Sequence, residues 1–212
     1  MALFSQSSKF TKFMSRLVDI CCLNILWIVF SLPVITAGAA TLAAYSVALN
    51  MVDDEESYIL KSFIHAFRNN LKQGTILLIL TTAAFYALYI DVQLVFKSEK
   101  PSVVLCVVSI LSIAVVFCIL VYAYPLSARY KNTLWNNLRN SFSISIRYPL
   151  RTFSIFFVCT IEIIIFTFNM LMEVFGILAG PMILVYTVCG SAKHIFLRIE
   201  REEGETDGNQ SV

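Results

Sequence analysis

Glu162 is the residue in this sequence with the most chemical promise. It stands in the stretch Ile161-Glu162-Ile163-Ile164-Ile165-Phe166, near the centre of an apolar run over 152–172. An ionisable group at membrane depth costs about 2.5–3.5 kcal/mol on insertion scales, so this carboxyl needs either a proton or a partner. The next apolar run, 175–197, supplies candidates: Lys193 and His194 lie toward its inner end, and Tyr186 and Thr187 offer neutral hydrogen bonds, as does Asn169. Two roles fit this group: a proton-transfer or substrate-coupling site, or a polar contact between helices, which is the commoner use of such residues.

Other chemistry-bearing residues are less suggestive. Asp19 falls three residues after Arg16 on the same helical face, where a local ion pair accounts for it. The run Asp53-Asp54-Glu55-Glu56 lacks the alternating spacing of a calcium loop and reads as a solvated turn. The sequence contains no Gly-rich Lys-Ser/Thr phosphate loop, no H-E-x-x-H and no G-x-S-x-G, and its two histidines, His65 and His194, fall on different elements. ATP hydrolysis is therefore excluded and a membrane hydrolase disfavoured; no enzyme activity, cofactor or metal site is expected. Six cysteines, Cys21, Cys22, Cys106, Cys118, Cys159 and Cys189, all lie inside apolar runs, which suits small hydrophobes packed between helices. A net charge of +2 from 16 basic and 14 acidic residues is no nucleic-acid footprint.

The elements that must position these residues are set by composition. Of 212 residues 58% are hydrophobic, only 14% are charged, and the mean hydropathy is +0.76. A soluble domain cannot bury that much, so the chain is read as an integral membrane protein. Apolar runs near 17–32, 34–51, 74–96, 102–124, 152–172 and 175–197 predict an all-α, polytopic helical bundle of about six spans. Pro33 interrupts the first two, and with Gly38 in the small-residue sequence after it marks a hairpin bend; a five-span arrangement with 34–51 partly re-entrant stays open. Six crossings with the N-terminus inside place fourteen Lys and Arg on the inner face and leave Lys97 and Lys100 outside. Cytoplasmic loops carry the basic excess, so N-in and C-in is predicted. The basic start and Ala37-Gly38-Ala39 imitate a secretory signal, but Asp19 and Asn24 interrupt its apolar stretch, so it is read as retained.

Two inner connections carry helical periodicity. Over 58–73, Leu60, Phe63, Ile64, Phe67 and Leu71 share one side, and Lys61, His65, Arg68 and Lys72 share the other. A second helix near 126–148 has Leu134, Trp135, Leu138 and Phe142 at helical spacing, and its stretch supplies Arg139, Arg147 and Arg151. These basic faces are candidate surfaces for anionic lipid or for a docked partner. One offset of 79 residues lays the two regions on each other: Phe63, Arg68, Leu71 and Lys72 meet Phe142, Arg147, Leu150 and Arg151, and Tyr45 meets Tyr124. The repeated unit would be a descending span, a basic helix and an ascending span in parallel orientation. Residues 1–201 form a single membrane domain in this reading, and 202–212 a disordered acidic tail.

Asn24-Ile25-Leu26-Trp27 with Ser31-Leu32-Pro33-Val34-Ile35-Thr36-Ala37-Gly38 resembles the opening signature of the YesL-like bacterial membrane proteins. Phe63-Ile64-His65-Ala66-Phe67-Arg68-Asn69-Asn70-Leu71-Lys72-Gln73 is similar to that family's second motif. The family has no assigned function and offers no catalytic residues to carry over. Its members are often encoded beside carbohydrate ABC importers, so the resemblance implies a bacterial cytoplasmic-membrane protein working near sugar uptake. The expectation is a non-enzymatic accessory or regulatory component in the bilayer, contacting importer subunits. The competing expectation is a small self-contained transporter or channel built on the repeat, as a monomer or homodimer, with Glu162 in its path.

Overall fold

Helices account for every regular element among the described residues. The structure, a computed structural model, describes the backbone of residues 2–53, 58–98, 102–130 and 132–210; the side chains of 2–9, 12, 13, 171 and 202–210 are outside the description. The helices are α1 (Ala2–Ser31), α2 (Ala37–Val52), α3 (Ile59–Lys97), α4 (Val103–Arg129), α5 (Leu134–Arg147), α6 (Pro149–Thr167) and α7 (Met170–Gln210), with one 3-10 turn at Val34–Thr36. Six of them, all but α5, are long and apolar enough to cross a membrane.

Pro33 makes the first bend, as its fixed φ and missing N–H require. It adopts an extended conformation (φ −75°, ψ 110°) ahead of the 3-10 turn, and Thr36 Oγ1 donates to the Phe30 carbonyl at 2.8 Å, meeting one of the carbonyls that the end of α1 leaves open. Gly38 has a different role from the bend expected of it. It lies in the first turn of α2, buried, with its backbone against Gly74 of α3. A Cβ on Gly38 would overlap the Gly74 carbonyl, and one on Gly74 would stand 2.5 Å from the Ala39 backbone. Two glycines thus let α2 and α3 meet backbone to backbone.

That approach makes α2 the centre of the fold. Gly38, Ala39, Ala40, Ala43, Ala44 and Ala48 are all buried, and larger neighbours close around them, including Leu23 of α1, Phe63 of α3 and Met182 of α7. Small side chains on a central helix allow several others to pack closely on it. Phe30 of α1 sits edge-on to Phe63 and Phe67, at 5.4 and 4.8 Å between ring centroids. The apolar side predicted for 58–73 is therefore spent partly on α1 and α2.

Four boundaries differ from the sequence reading. The inner helix 58–73 and the span 74–96 form one continuous helix of 39 residues, because nothing in Lys72-Gln73-Gly74-Thr75 stops a helix already nucleated. The second inner helix is not continuous over 126–148: α4 runs on to Arg129, Tyr130 is extended, and α5 begins at Leu134. The chain turns between α6 and α7 at Phe168-Asn169, not near 173–174. Finally, 202–210 continue α7, where a disordered tail was expected; Glu202, Glu203 and Glu205 are good helix formers, and a helix already formed extends at no nucleation cost.

Asn24 resolves a backbone problem created 157 residues away. Pro181 stands inside α7 and has no N–H for the carbonyl of Ile177. Asn24 Nδ2, fully buried on α1, donates to that carbonyl at 3.0 Å and to the Leu178 carbonyl at 2.7 Å. One polar side chain in an apolar run thereby locks α1 onto α7.

Candidate functional site

Of the polar residues proposed as one intramembrane group, the structure joins Thr187 to Glu162 and sets Asn169 and Lys193 apart from them. Glu162, on α6, accepts a hydrogen bond from Thr187 Oγ1 of α7 at 2.7 Å, and its Oε2 is buried without a hydrogen-bond partner. This pair ties α6 to α7. Asn169 is not beside it: it occupies the α6–α7 turn, exposed, where its carbonyl accepts the Glu173 N–H at 2.9 Å. Asn favours such helix-start positions because its short side chain competes for local backbone groups. Tyr186 packs on the α2-centred core.

Lys193 lies elsewhere. Its Nζ donates to the Val52 carbonyl at 2.9 Å and meets Asp53 Oδ1 at 2.8 Å. Asp53, read from sequence as part of a solvated turn, is the hinge of a partly buried network at the C-terminal end of α2; Asp54, Glu55 and Glu56 lie outside the described residues. Arg129, in the last turn of α4, stands 3.6 Å from Asp53 and 3.2 Å from Glu200 of α7, donating to both Glu200 oxygens. Tyr130 adds a hydroxyl donor to Glu200 at 2.5 Å, and burial, followed by that carboxylate, raises the phenol above its ordinary value. Arg16 of α1 donates to the Met51 carbonyl. Cations at a helix C-terminus meet both its open carbonyls and its dipole, so Arg16 and Lys193 suit this place electrostatically.

The basic faces are exposed as the periodicity predicts. Lys61, His65, Arg68 and Lys72 line the outer side of the first half of α3, and Arg139, Arg147 and Arg151 are exposed on α5 and the start of α6. A cavity of about 280 Å3 opens beside the second group, lined by Asn140, Ser143, Ile144 and Arg147 of α5, Leu126 of α4 and Phe196 of α7. Among the described residues no group of three or more His, Cys, Asp or Glu is arranged to hold a metal ion.

The residues missed by sequence reasoning are Asn24, Asp53, Arg129, Tyr130 and Glu200. Only Asn24 gave a signal, as an amide inside an apolar run with an intrahelical Pro elsewhere. The others come from three distant segments, and single-sequence periodicity carries no information on which loop end meets which helix.

The two halves of the proposed repeat do meet. Tyr45 and Tyr124, related by the 79-residue offset, stack with centroids 5.8 Å apart and planes 22° apart. Thr81 Oγ1 and Tyr124 OH lie 3.1 Å apart beside them.

Residues 20–92, from α1 through most of α3, match the family described as "Protein of unknown function, DUF624". No curated protein and no solved structure matches the chain.

Proposed function

We propose that this protein is a non-enzymatic accessory or regulatory component of the bacterial cytoplasmic membrane, working beside a carbohydrate ABC importer, with both termini on the cytoplasmic side. One observation carries the reading: Lys61, Arg68, Lys72, Arg139 and Arg151, on α3, α5 and the start of α6, are exposed, while Asn24, Asp53, Glu162, Thr187 and Lys193 are engaged in joining helices. Polar chemistry inside the bundle is thus used to hold it together, and the charge turned outward is available to a partner. Cations fixed on helices lose little freedom when an acidic surface docks on them. The importer as partner comes from the resemblance of the two motifs, and the match over residues 20–92 is compatible with it.

A tagged chain purified in mild detergent, with bound proteins identified by mass spectrometry, tests this. Importer subunits should be enriched with the native chain and lost with the combined variant Lys61→Gln, Arg68→Gln, Lys72→Gln. Failure to enrich any importer subunit, or equal enrichment by the variant, overturns the reading.

The Tyr45–Tyr124 stack favours a second reading, a small transporter built on two parallel units. In that case purified protein in liposomes moves a solute, and Glu162→Gln changes the flux without loss of folded protein. An unchanged flux removes Glu162 from the path.

A further inference from the structure

Between Ile59 and Lys97, α3 carries a single acidic side chain, Asp91, near its end. The helix is apolar enough to cross a membrane, and an ionisable group in such a helix is costly unless something pairs with it. Asp91 is half-buried. Its backbone carbonyl accepts the hydroxyl of Ser109, a buried residue of α4, at 3.5 Å. No ion pair or hydrogen bond to its carboxylate exists among the described residues.

A cavity of about 270 Å3 opens here between the two helices, lined by Asp91 and Leu94 of α3 and by Ser102, Leu105, Val108 and Ser109 at the start of α4. Its chemistry selects a ligand. A hard metal ion takes about six oxygens or keeps its water, and the aliphatic walls suit neither arrangement. An anion would be repelled by Asp91. A neutral polyol would leave hydroxyls unpaired against Leu94, Leu105 and Val108, which is unfavourable. A protonated primary amine on an apolar stem meets every part: its N–H groups donate to the carboxylate and to hydroxyl oxygens, and its methylenes meet the walls. Ser109, whose proton is directed to the Asp91 carbonyl, keeps an oxygen lone pair for such a donor.

The surface outside the cavity continues its apolar side. Val104, Val108, Leu111 and Val115 recur at i, i+4, i+7 and i+11 on α4 and are exposed to 71%, 51%, 58% and 43%. They form a track about 16 Å long that leads away from the cavity, roughly half of a bilayer core. Residues 103–128 of α4 contain no charged residue, so nothing along the track competes with an amine for Asp91.

We infer that the cavity between α3 and α4 binds an amphiphilic amine, with its ammonium held by Asp91, Ser102 and Ser109 and its apolar chain along Val104, Val108, Leu111 and Val115. The same chemistry has two sources, the ethanolamine headgroup of a phospholipid and a soluble alkylamine. The site uses none of the exposed cations on α3, α5 and α6, so it stands or falls independently of an importer as partner.

Titration calorimetry with hexylammonium chloride, on the chain delipidated in dodecyl maltoside, tests the site. The native chain should bind it saturably, and Asp91→Asn should bind it about tenfold or more weakly, the loss expected for a charge-assisted hydrogen bond. Val108→Trp fills the cavity and leaves the carboxylate in place; it should weaken binding likewise and keeps the test open if Asp91→Asn folds poorly. Hexanol, with the same stem and no charge, should bind the native chain and Asp91→Asn alike. Absence of saturable hexylammonium binding to the native chain, undiminished binding by either folded variant, or an equal loss for hexanol overturns the inference. Mass spectrometry of the lipid retained after extraction from liposomes of phosphatidylethanolamine and phosphatidylglycerol then separates the sources. Enrichment of phosphatidylethanolamine by the native chain and not by Asp91→Asn assigns the headgroup; equal retention by both chains, with hexylammonium bound, assigns the soluble amine.

Discussion

The units α2–α3 and α4–α5–α6 share a pattern of residues but not a construction. In the first, contact is backbone to backbone through Gly38 and Gly74, and the basic half runs into the apolar half as one helix. In the second, side chains make the contact: Asn137 Nδ2 donates to Ser127 Oγ at 3.1 Å and Ser145 Oγ to the Cys118 carbonyl at 2.6 Å. Its basic helix also ends before the apolar one begins. Tyr148, with φ −123° and ψ 60°, separates them, because the residue before a proline is disfavoured in the helical region and Pro149 follows. The position equivalent to Pro149 in the first unit is Asn70, inside α3. One residue type at one register thus decides whether the basic surface is rigidly coupled to a span or hinged to it.

The largest effect should come from exchanging that difference. Asn70→Pro puts a proline in the interior of α3 and should cost about 3 kcal/mol or more, whereas Pro149→Ala, at a helix start, should change stability by less than about 1 kcal/mol. Thermal unfolding in detergent reads both, and equal effects would refute the distinction. Next is Gly74→Val, which drives a branched side chain into the Ala39 backbone; overpacking of this kind costs about 1–3 kcal/mol. Gly190→Ala, with open space around it, is the comparator and should be neutral or stabilising. A destabilised Gly190 variant with an unaffected Gly74 variant would mean that the helices do not approach as described.

Asn24→Ala tests how the first unit is tied to α7. Loss of the bonds to Ile177 and Leu178 leaves a buried carbonyl open, about 1–3 kcal/mol. Pro181→Ala restores an N–H for Ile177, so the double variant should lose less than the sum of the two. Strict additivity would separate Asn24 from the proline. The smallest effect is expected for Glu200→Gln. Its ties to Arg129 and Tyr130 lie near the surface, where an ion pair contributes roughly 0.2–1 kcal/mol, and the loss should shrink as salt is raised.

How much of this is legible in the sequence depends on the range of the interaction. Pro33, the apolar runs and the basic stripe Lys61, His65, Arg68 and Lys72 are local patterns, and the structure keeps each as a bend, a helix or an exposed face. The continuity of α3 was hidden because Gly74, a residue that weakens a helix in isolation, is retained there by its contact with Gly38. The site residues were legible one at a time and not as a set. Glu162 and Lys193 lie in adjacent apolar runs, so pairing them was reasonable, but Thr187 is nearer to the first, and Asp53 reaches the second from α2. Periodicity names the face of a helix; it does not name the neighbour.

The claim on which the account turns is that the α1–α2 hairpin ends where the apolar half of α3 begins. Disulfide formation between cysteine pairs in native membranes tests it most directly. Ile35→Cys with Thr75→Cys should cross-link readily on mild oxidation, and Ile35→Cys with Ser98→Cys should not. The reverse result, a cross-link to position 98 and none to position 75, would place the hairpin tip beside the α3–α4 turn and contradict the account.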